Sequence, residues 1–304
     1  MHLTELTQVL SAFPDSGRIA VPVALARELL ASAEAVRIYE NKEFYATAVQ
    51  QFVHDHVRAA CPEAFDWVVD RIKEGLAVWP YCALVSGLNF DAHHRLFVAI
   101  NRAFGQLVGL PYQEPRAQLV HYIQPATDIH SARGGREVER LHTDAVDWYV
   151  PIQLISMRCV RPDTNGGGRS RLLDIDAIRD EVKTHLGNDM LELLETTPVP
   201  WQLHTYWGGG VRWRPVLSGS TVCWRRYTIN LALKVNGAAL SEQMLAALDS
   251  FETVVSASHR TIDFLLGPGD LLFSDNLRTI HARTAIAAAG GSNRLMIRSW
   301  INMS

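Results

Sequence analysis

The sequence predicts a mainly β protein with helical additions (α+β), built on a double-stranded β-helix, or jelly roll, with helices flanking it at the N-terminus. Two observations carry that prediction. From about residue 116 the chain breaks into short strand-like runs separated by glycine clusters at Gly166-Gly167-Gly168, Gly208-Gly209-Gly210 and Gly290-Gly291, the texture of an antiparallel double-sheet fold. Residues 1 to about 115 instead carry helical periodicity. No internal repeat, low-complexity tract or linker divides residues 1–304, so one domain is expected, with the helical third packed outside the sheet.

Taken in order, Val21–Leu30 and Glu43–Ala60 place apolar residues at three- and four-residue steps and read as helices. Tyr81–Leu88 reads as a buried strand ending at Gly87. A helix over Ala92–Leu107 follows, closed by Gly109-Leu110-Pro111. Strands are then expected at Gln118–Ile123, Val150–Val160, Ser170–Leu173, Val222–Ile229, Leu271–Phe273 and Leu295–Ile301. One inserted helix, near Ser241–Ser258, interrupts them.

Composition sets outer limits. The 304 residues are 48% hydrophobic and 20% charged, with a formal net charge of −3, which describes a globular chain with ample core. That charge gives no electrostatic reason to expect nucleic acid or an anionic membrane. No apolar run is long enough to span a bilayer, and Met1-His2-Leu3-Thr4-Glu5 lacks the pattern of a signal peptide. Cys61, Cys82, Cys159 and Cys223 are widely spaced with no C-x-x-C pair, as expected of reduced thiols in the cytoplasm. Oligomeric state is left open.

The chemistry concentrates in the second half. His142-Thr143-Asp144 is followed much later by His281, and then by Arg294 and Arg298. If residues 142–144 are extended, His142 and Asp144 project to one side while Thr143 points away. His281 is the third candidate ligand, because it follows the turn signal Gly267-Pro268-Gly269-Asp270. Two histidines and one carboxylate on one face of a metal leave three positions open, as in non-haem Fe(II) oxygenases. Catalytic zinc accepts the same donors. The arginines separate the two, since only an oxygenase needs a fixed cation for the distal carboxylate of a 2-oxo acid. On a strand from 294, Arg294, Met296 and Arg298 share one face and Leu295 and Ile297 the other. The remaining ten of the twelve histidines, His93-His94 and His204 among them, have no comparable setting.

His142-Thr-Asp144, the Gly269-Asp270-x5-Asn276-x4-His281-x-Arg283 block and Arg294-x3-Arg298 together resemble the taurine dioxygenase and clavaminate synthase-like group of Fe(II)/2-oxoglutarate-dependent oxygenases. The resemblance runs from about residue 118 to the C-terminus. It implies a jelly roll with Fe(II) held by His142, Asp144 and His281, and Arg294 on the C5 carboxylate of 2-oxoglutarate. It gives Ser170, after Gly167-Gly168-Arg169, the hydroxyl that a threonine supplies in the group. Arg298 takes the place of an arginine that binds a substrate anion, although a salt bridge to an acidic side chain is an equal alternative. Tyr122, Asp147 and Trp148 are candidate pocket residues, with core packing the competing role.

The implied reaction consumes O2 and 2-oxoglutarate, releases succinate and CO2, and hydroxylates an unactivated C–H bond; desaturation and ring closure start from the same hydrogen abstraction. The carboxylate of Asp144 disfavours halogenation, because halogenating relatives carry a small residue there. Cys159-Val160-Arg161-Pro162-Asp163 with Gly166-Gly167-Gly168 resembles clavaminate synthase-like enzymes acting on amino acids or their derivatives. A carboxylate-bearing small molecule of that kind is the expected partner, in specialised metabolism. A sulfonate or another small organic acid comes second. A jelly-roll protein that binds metal without turnover is the alternative of another class.

Overall fold

The computed structural model describes residues 12–109, 119–125, 139–286 and 292–303. In chain order the strands are β1 (Arg18–Ala20), β2 (Cys82–Ser86), β3 (Gly105–Val108), β4 (His121–Ile123), β5 (Glu139–His142), β6 (Leu154–Arg161) and β7 (Ser170–Asp174). Two ribbons follow, β8 (Val199–Gln202) with β9 (Val211–Arg214), and β10 (Leu217–Ser218) with β11 (Thr221–Val222). The last four strands are β12 (Ile262–Phe264), β13 (Leu271–Asp275), β14 (Thr279–Arg283) and β15 (Leu295–Met303).

The larger sheet runs β1-β2-β13-β6-β15-β3, with β4 also paired to β15; the smaller runs β12-β7-β14-β5. Successive strands β5-β6-β7 and β13-β14-β15 therefore alternate between sheets, which winds the chain as a double-stranded β-helix. Leu84, Cys159, Leu272 and Met296 of the larger sheet meet Leu172, Ile262 and Phe264 of the smaller in one buried cluster. The predicted jelly roll is present.

Helices cover both outer faces. The helices α1 (Val23–Glu34), α2 (Thr47–Ala60), α3 (Pro62–Ala77) and α4 (Arg95–Arg102) bury Leu29, Val53, Phe65, Ile72 and Phe97 against Val85, Phe273, Ile297 and Ile301 of the larger sheet. Each such side chain contributes about 1.5–3 kcal/mol by leaving water. The helices α5 (Ile175–Leu186), α6 (Asn188–Thr196), α7 (Arg226–Val235) and α8 (Glu242–Ala257) pack Ile178, Leu194, Ile229 and Phe251 with Leu173 and Ile280 of the smaller sheet. None of the described helices is long and apolar enough to cross a membrane.

Three expectations need correction. The helix expected over Ala92–Leu107 ends at Arg102, because Gly105–Val108 pairs with β15 instead. Gly105, at φ +152°, lets the two backbones close together: an added Cβ would sit 2.0 Å from the carbonyl oxygen of Asn302. The strand expected at Val222–Ile229 survives only at Thr221–Val222, and the rest enters α7, where Thr228, Ile229 and Ala232 form its buried side. β-branched and aromatic residues favour strands, but here their one-sided burial decides in favour of a helix. The inserted helix near 241–258 is α8, with Ser241 accepting the Met244 N–H as its cap, but α5, α6 and α7 accompany it. Gly290-Gly291, Leu110-Pro111 and Gln118 lie outside the described residues.

Candidate metal centre

The two histidines meet because their strands do. His142 is the last residue of β5 and pairs directly with His281 in the middle of β14, and their ring centroids lie 4.5 Å apart. Asp144 arrives differently from the expected alternation along a strand. The chain leaves β5 after His142 and turns through Ala145, which sits at φ +54°, a left-handed conformation uncommon for alanine. Such strain persists only where the surroundings impose it. Asn276 is the main constraint: its side chain accepts the Asp144 N–H at 2.9 Å and donates to the carbonyls of Asp144 (3.1 Å) and Ile152 (2.8 Å). Thr143 adds a second, since its N–H donates to the Trp224 carbonyl and its hydroxyl accepts the Trp224 N–H at 3.0 Å.

Asp144 Oδ1 lies 3.5 Å from His142 Nε2 and 3.7 Å from His281 Nε2, and one ligand atom from each of the three residues falls within 4.8 Å of the others. Nδ1 of His142 lies 2.8 Å from the Arg140 carbonyl. A proton on that nitrogen leaves the Nε2 lone pair facing Asp144. The second carboxylate oxygen of Asp144 accepts from Arg298 Nη1 at 2.9 Å and from Trp300 Nε1 at 2.8 Å. Burial opposes ionisation of Asp144, but the Arg298 guanidinium and the two imidazoles outweigh it and hold the carboxyl well below its usual range. Two imidazole nitrogens and a charged carboxylate oxygen, with the other carboxylate oxygen anchored, fit a divalent metal of the iron or zinc kind.

Two cavities meet at this cluster, and His142 and Arg298 line both. The smaller, about 80 Å³, lies between the sheets and is lined also by His281, Ser170 and Arg294. Arg294 is buried, with Nη2 3.4 Å from the Gly168 carbonyl. Gly168, at φ +67°, lies so close that an added Cβ would come within 2.7 Å of Arg294 Nε. The larger cavity, about 510 Å³, opens on the other side over Asp144, Asp147, Trp148 and Trp300, and α7 walls it with Tyr227, Thr228, Leu231 and Val235.

Of the residues named from sequence, His142, Asp144, His281, Arg294, Arg298 and Ser170 gather at the cluster or the smaller cavity, and Asp147 and Trp148 line the larger one. Tyr122 does not join them. On β4, His121 and Ile123 alternate toward the site side, while Tyr122 pairs with Ile297 and its hydroxyl meets His94 Nε2. Arg298 forms the salt bridge that was the alternative to anion binding. Trp300 and Arg225 were not anticipated. Trp300 is two residues beyond Arg298 on the same face of β15, so strand alternation could have named it. Arg225 carried no sequence signal, because its segment read as a strand.

The sequence profile of the taurine catabolism dioxygenase TauD, TfdA family matches residues 80–300. The chain belongs to that family. It is thus a TauD-type non-haem Fe(II)/2-oxoglutarate oxygenase. Solved structures similar to this TauD-family chain include an asparagine oxygenase (AsnO), with a TM-score of 0.77 at 13% identity, covering 95% of this chain and 94% of that one. The non-haem iron oxygenase OrfP in complex with Fe and α-ketoglutaric acid has a TM-score of 0.74 at 16% identity, covering 95% of both chains. Asparagine oxygenase in complex with Fe(II), 3-hydroxyasparagine and succinate has a TM-score of 0.72 at 14% identity, covering 94% of this chain and 93% of that one. At such identities the likeness speaks for the fold. No curated protein sequence matches this TauD-family chain.

Proposed function

We propose that this enzyme hydroxylates an unactivated C–H bond of a free amino acid or amino acid-derived small metabolite, with succinate and CO2 as co-products. The observation that carries the reading is the meeting of two cavities at His142, Asp144 and His281, one of them lined by a buried arginine, Arg294. The asparagine oxygenase and OrfP complexes hold hydroxylated asparagine and arginine in a similar fold, which supports an amino acid as guest.

In this reading His142, Asp144 and His281 hold Fe(II) on one face. Arg294 binds the C5 carboxylate of 2-oxoglutarate through charge-assisted hydrogen bonds, with the Ser170 hydroxyl beside it. Bound iron and 2-oxoglutarate supply the O2-dependent oxidising power that breaks the C–H bond. The chain contributes placement and exclusion of water. Arg298 and Trp300 hold the outer oxygen of Asp144 and so orient its inner oxygen. Zinc would satisfy the three ligands equally well, but a buried arginine lining the smaller cavity has no task in a zinc hydrolase.

The test is a panel of free amino acids and small organic acids, sulfonates included, incubated with Fe(II), ascorbate and 2-oxoglutarate. The expected result is stimulated succinate release with one or a few free amino acids and a product heavier by one oxygen. Stimulation confined to sulfonates or other non-amino acids would overturn the substrate assignment, and no metal-dependent succinate with any compound would overturn the enzyme reading.

A further inference from the structure

The larger cavity carries two opposite charges that no ion pair among the described residues matches. Asp147 lines it three residues beyond Asp144, and Arg225 lines it from the residue that precedes α7. Among the described residues neither forms an ion pair, and no side-chain hydrogen bond holds Arg225. The Asp147 carboxyl nevertheless feels the Arg225 charge. The two are half-buried. Burial pushes the Asp147 carboxyl up, while Arg225 and His204 pull it back.

The neighbouring ions are already committed. Arg298 is paired to Asp144 at 2.9 Å, and Arg226, the residue after Arg225, turns away to Asp249. A guanidinium and a carboxylate facing one cavity without closing on each other cost more desolvation than their attraction across it recovers, and the Asp147 carboxyl stays raised. A ligand bearing both charges in the complementary order reverses that balance.

Resting on the amino acid reading above, we propose that Arg225 and Asp147 form the receptor for the substrate's zwitterionic head, Arg225 taking the α-carboxylate and Asp147 the α-ammonium group. The guanidinium fork matches a carboxylate with two parallel donors, and a carboxylate accepts two of the three ammonium protons. Arg298 is thereby relieved of the anion-binding role and remains a positioning residue for Asp144. The remaining wall, Leu231 and Val235 of α7 with Trp148, is left to the substrate's side chain. Peptide-bound residues, which lack both charges, are excluded from the site.

The experiment takes the free amino acid that stimulates succinate release and compares it with its α-carboxamide and its des-amino analogue. One lost charge-assisted contact is worth about 1.5–3 kcal/mol, so wild-type kcat/KM should fall at least about tenfold for each analogue. Arg225→Gln should lose the preference for acid over carboxamide and keep the penalty for the missing amine. Asp147→Asn should do the reverse. General damage to the site would lower all three compounds together and leave the ratios as in wild type, and that outcome overturns the assignment. If neither variant folds, the wild-type comparison still decides: an enzyme that accepts either analogue as well as the parent has no such receptor. Absence of stimulation by every free amino acid refutes the amino acid reading itself, whereas stimulation with unchanged ratios in the variants refutes only the roles of Arg225 and Asp147.

Discussion

Gly168→Ala tests the link between the glycine-rich turn and the cosubstrate arginine. Gly168 sits at φ +67°, and an added Cβ would lie 2.7 Å from Nε, 3.0 Å from Cδ and 3.4 Å from Cζ of Arg294. The left-handed backbone alone costs an alanine roughly 1–2 kcal/mol. The contact cannot be absorbed at a flexible tip, because Nε and Cδ lie mid-chain and Arg294 is buried, so the guanidinium must move. If it holds the C5 carboxylate, displacing it forfeits a charge-assisted bond of about 1.5–3 kcal/mol, or roughly 10–150-fold in the 2-oxoglutarate requirement. The melting temperature should fall by about 2–4 °C for each kcal/mol lost.

The assay is succinate release against 2-oxoglutarate concentration at fixed, saturating substrate, with thermal melts on the same preparations and Arg294→Ala as reference. A raised 2-oxoglutarate KM approaching that of Arg294→Ala is expected. A lowered melting temperature with an unchanged KM would refute the reasoning, since the turn would then be strained without disturbing any clamp.

Other perturbations follow from the same geometry. Asp144→Ala should abolish metal-dependent succinate formation; full activity would remove Asp144 from the ligand set. Thr143→Ala should keep the ligands but lose about 1–3 kcal/mol of stability, because the buried Trp224 N–H forfeits its acceptor; an unaltered denaturation midpoint would contradict this. Trp300→Phe removes the donor 2.8 Å from Asp144 and should weaken Fe(II) binding by about 10–100-fold, as read by titration under anaerobic conditions. Burial pushes the thiols of Cys82 up to about 12 and of Cys159 and Cys223 up to about 11, so at pH 8 the two fully buried ones, Cys82 and Cys159, should react with a thiol reagent only after unfolding. These groups retain protons in the folded state that they lose in the unfolded one above the ordinary thiol value of 9.0. Their contribution to stability is therefore intact below about pH 9 and declines as pH rises toward 11–12, which denaturation midpoints across that range would register.

Much of the site was legible because its chemistry depends on residue type. Arg294, the residue before β15, and Arg298 within it line the same cavity as period-two alternation predicts, with Ile297 turned to the helices. Asp144 joins the two histidines by a route alternation did not foresee: it reaches His142 through a turn braced by Asn276 and not along a strand. Tyr122 lies outside the lining of both cavities, which alternation alone could not tell, because it does not say which set of residues faces inward. Pairing of His121 with Arg298 settles that, and the pairing joins residues far apart in sequence.

The sequence by itself determined the chemical inventory: two imidazoles, a carboxylate and two guanidinium groups, on a chain whose strand spacing pointed to a jelly roll. Tertiary structure alone decided that His142 stands opposite His281, that Arg298 is bound by Asp144, and that residues 226–235 are a helix walling the larger cavity. The physical reason is range. Side-chain chemistry and alternation are local properties, whereas strand register and the partner of a charge join residues more than a hundred positions apart, and the choice of helix over strand follows from packing against a separate element, β8.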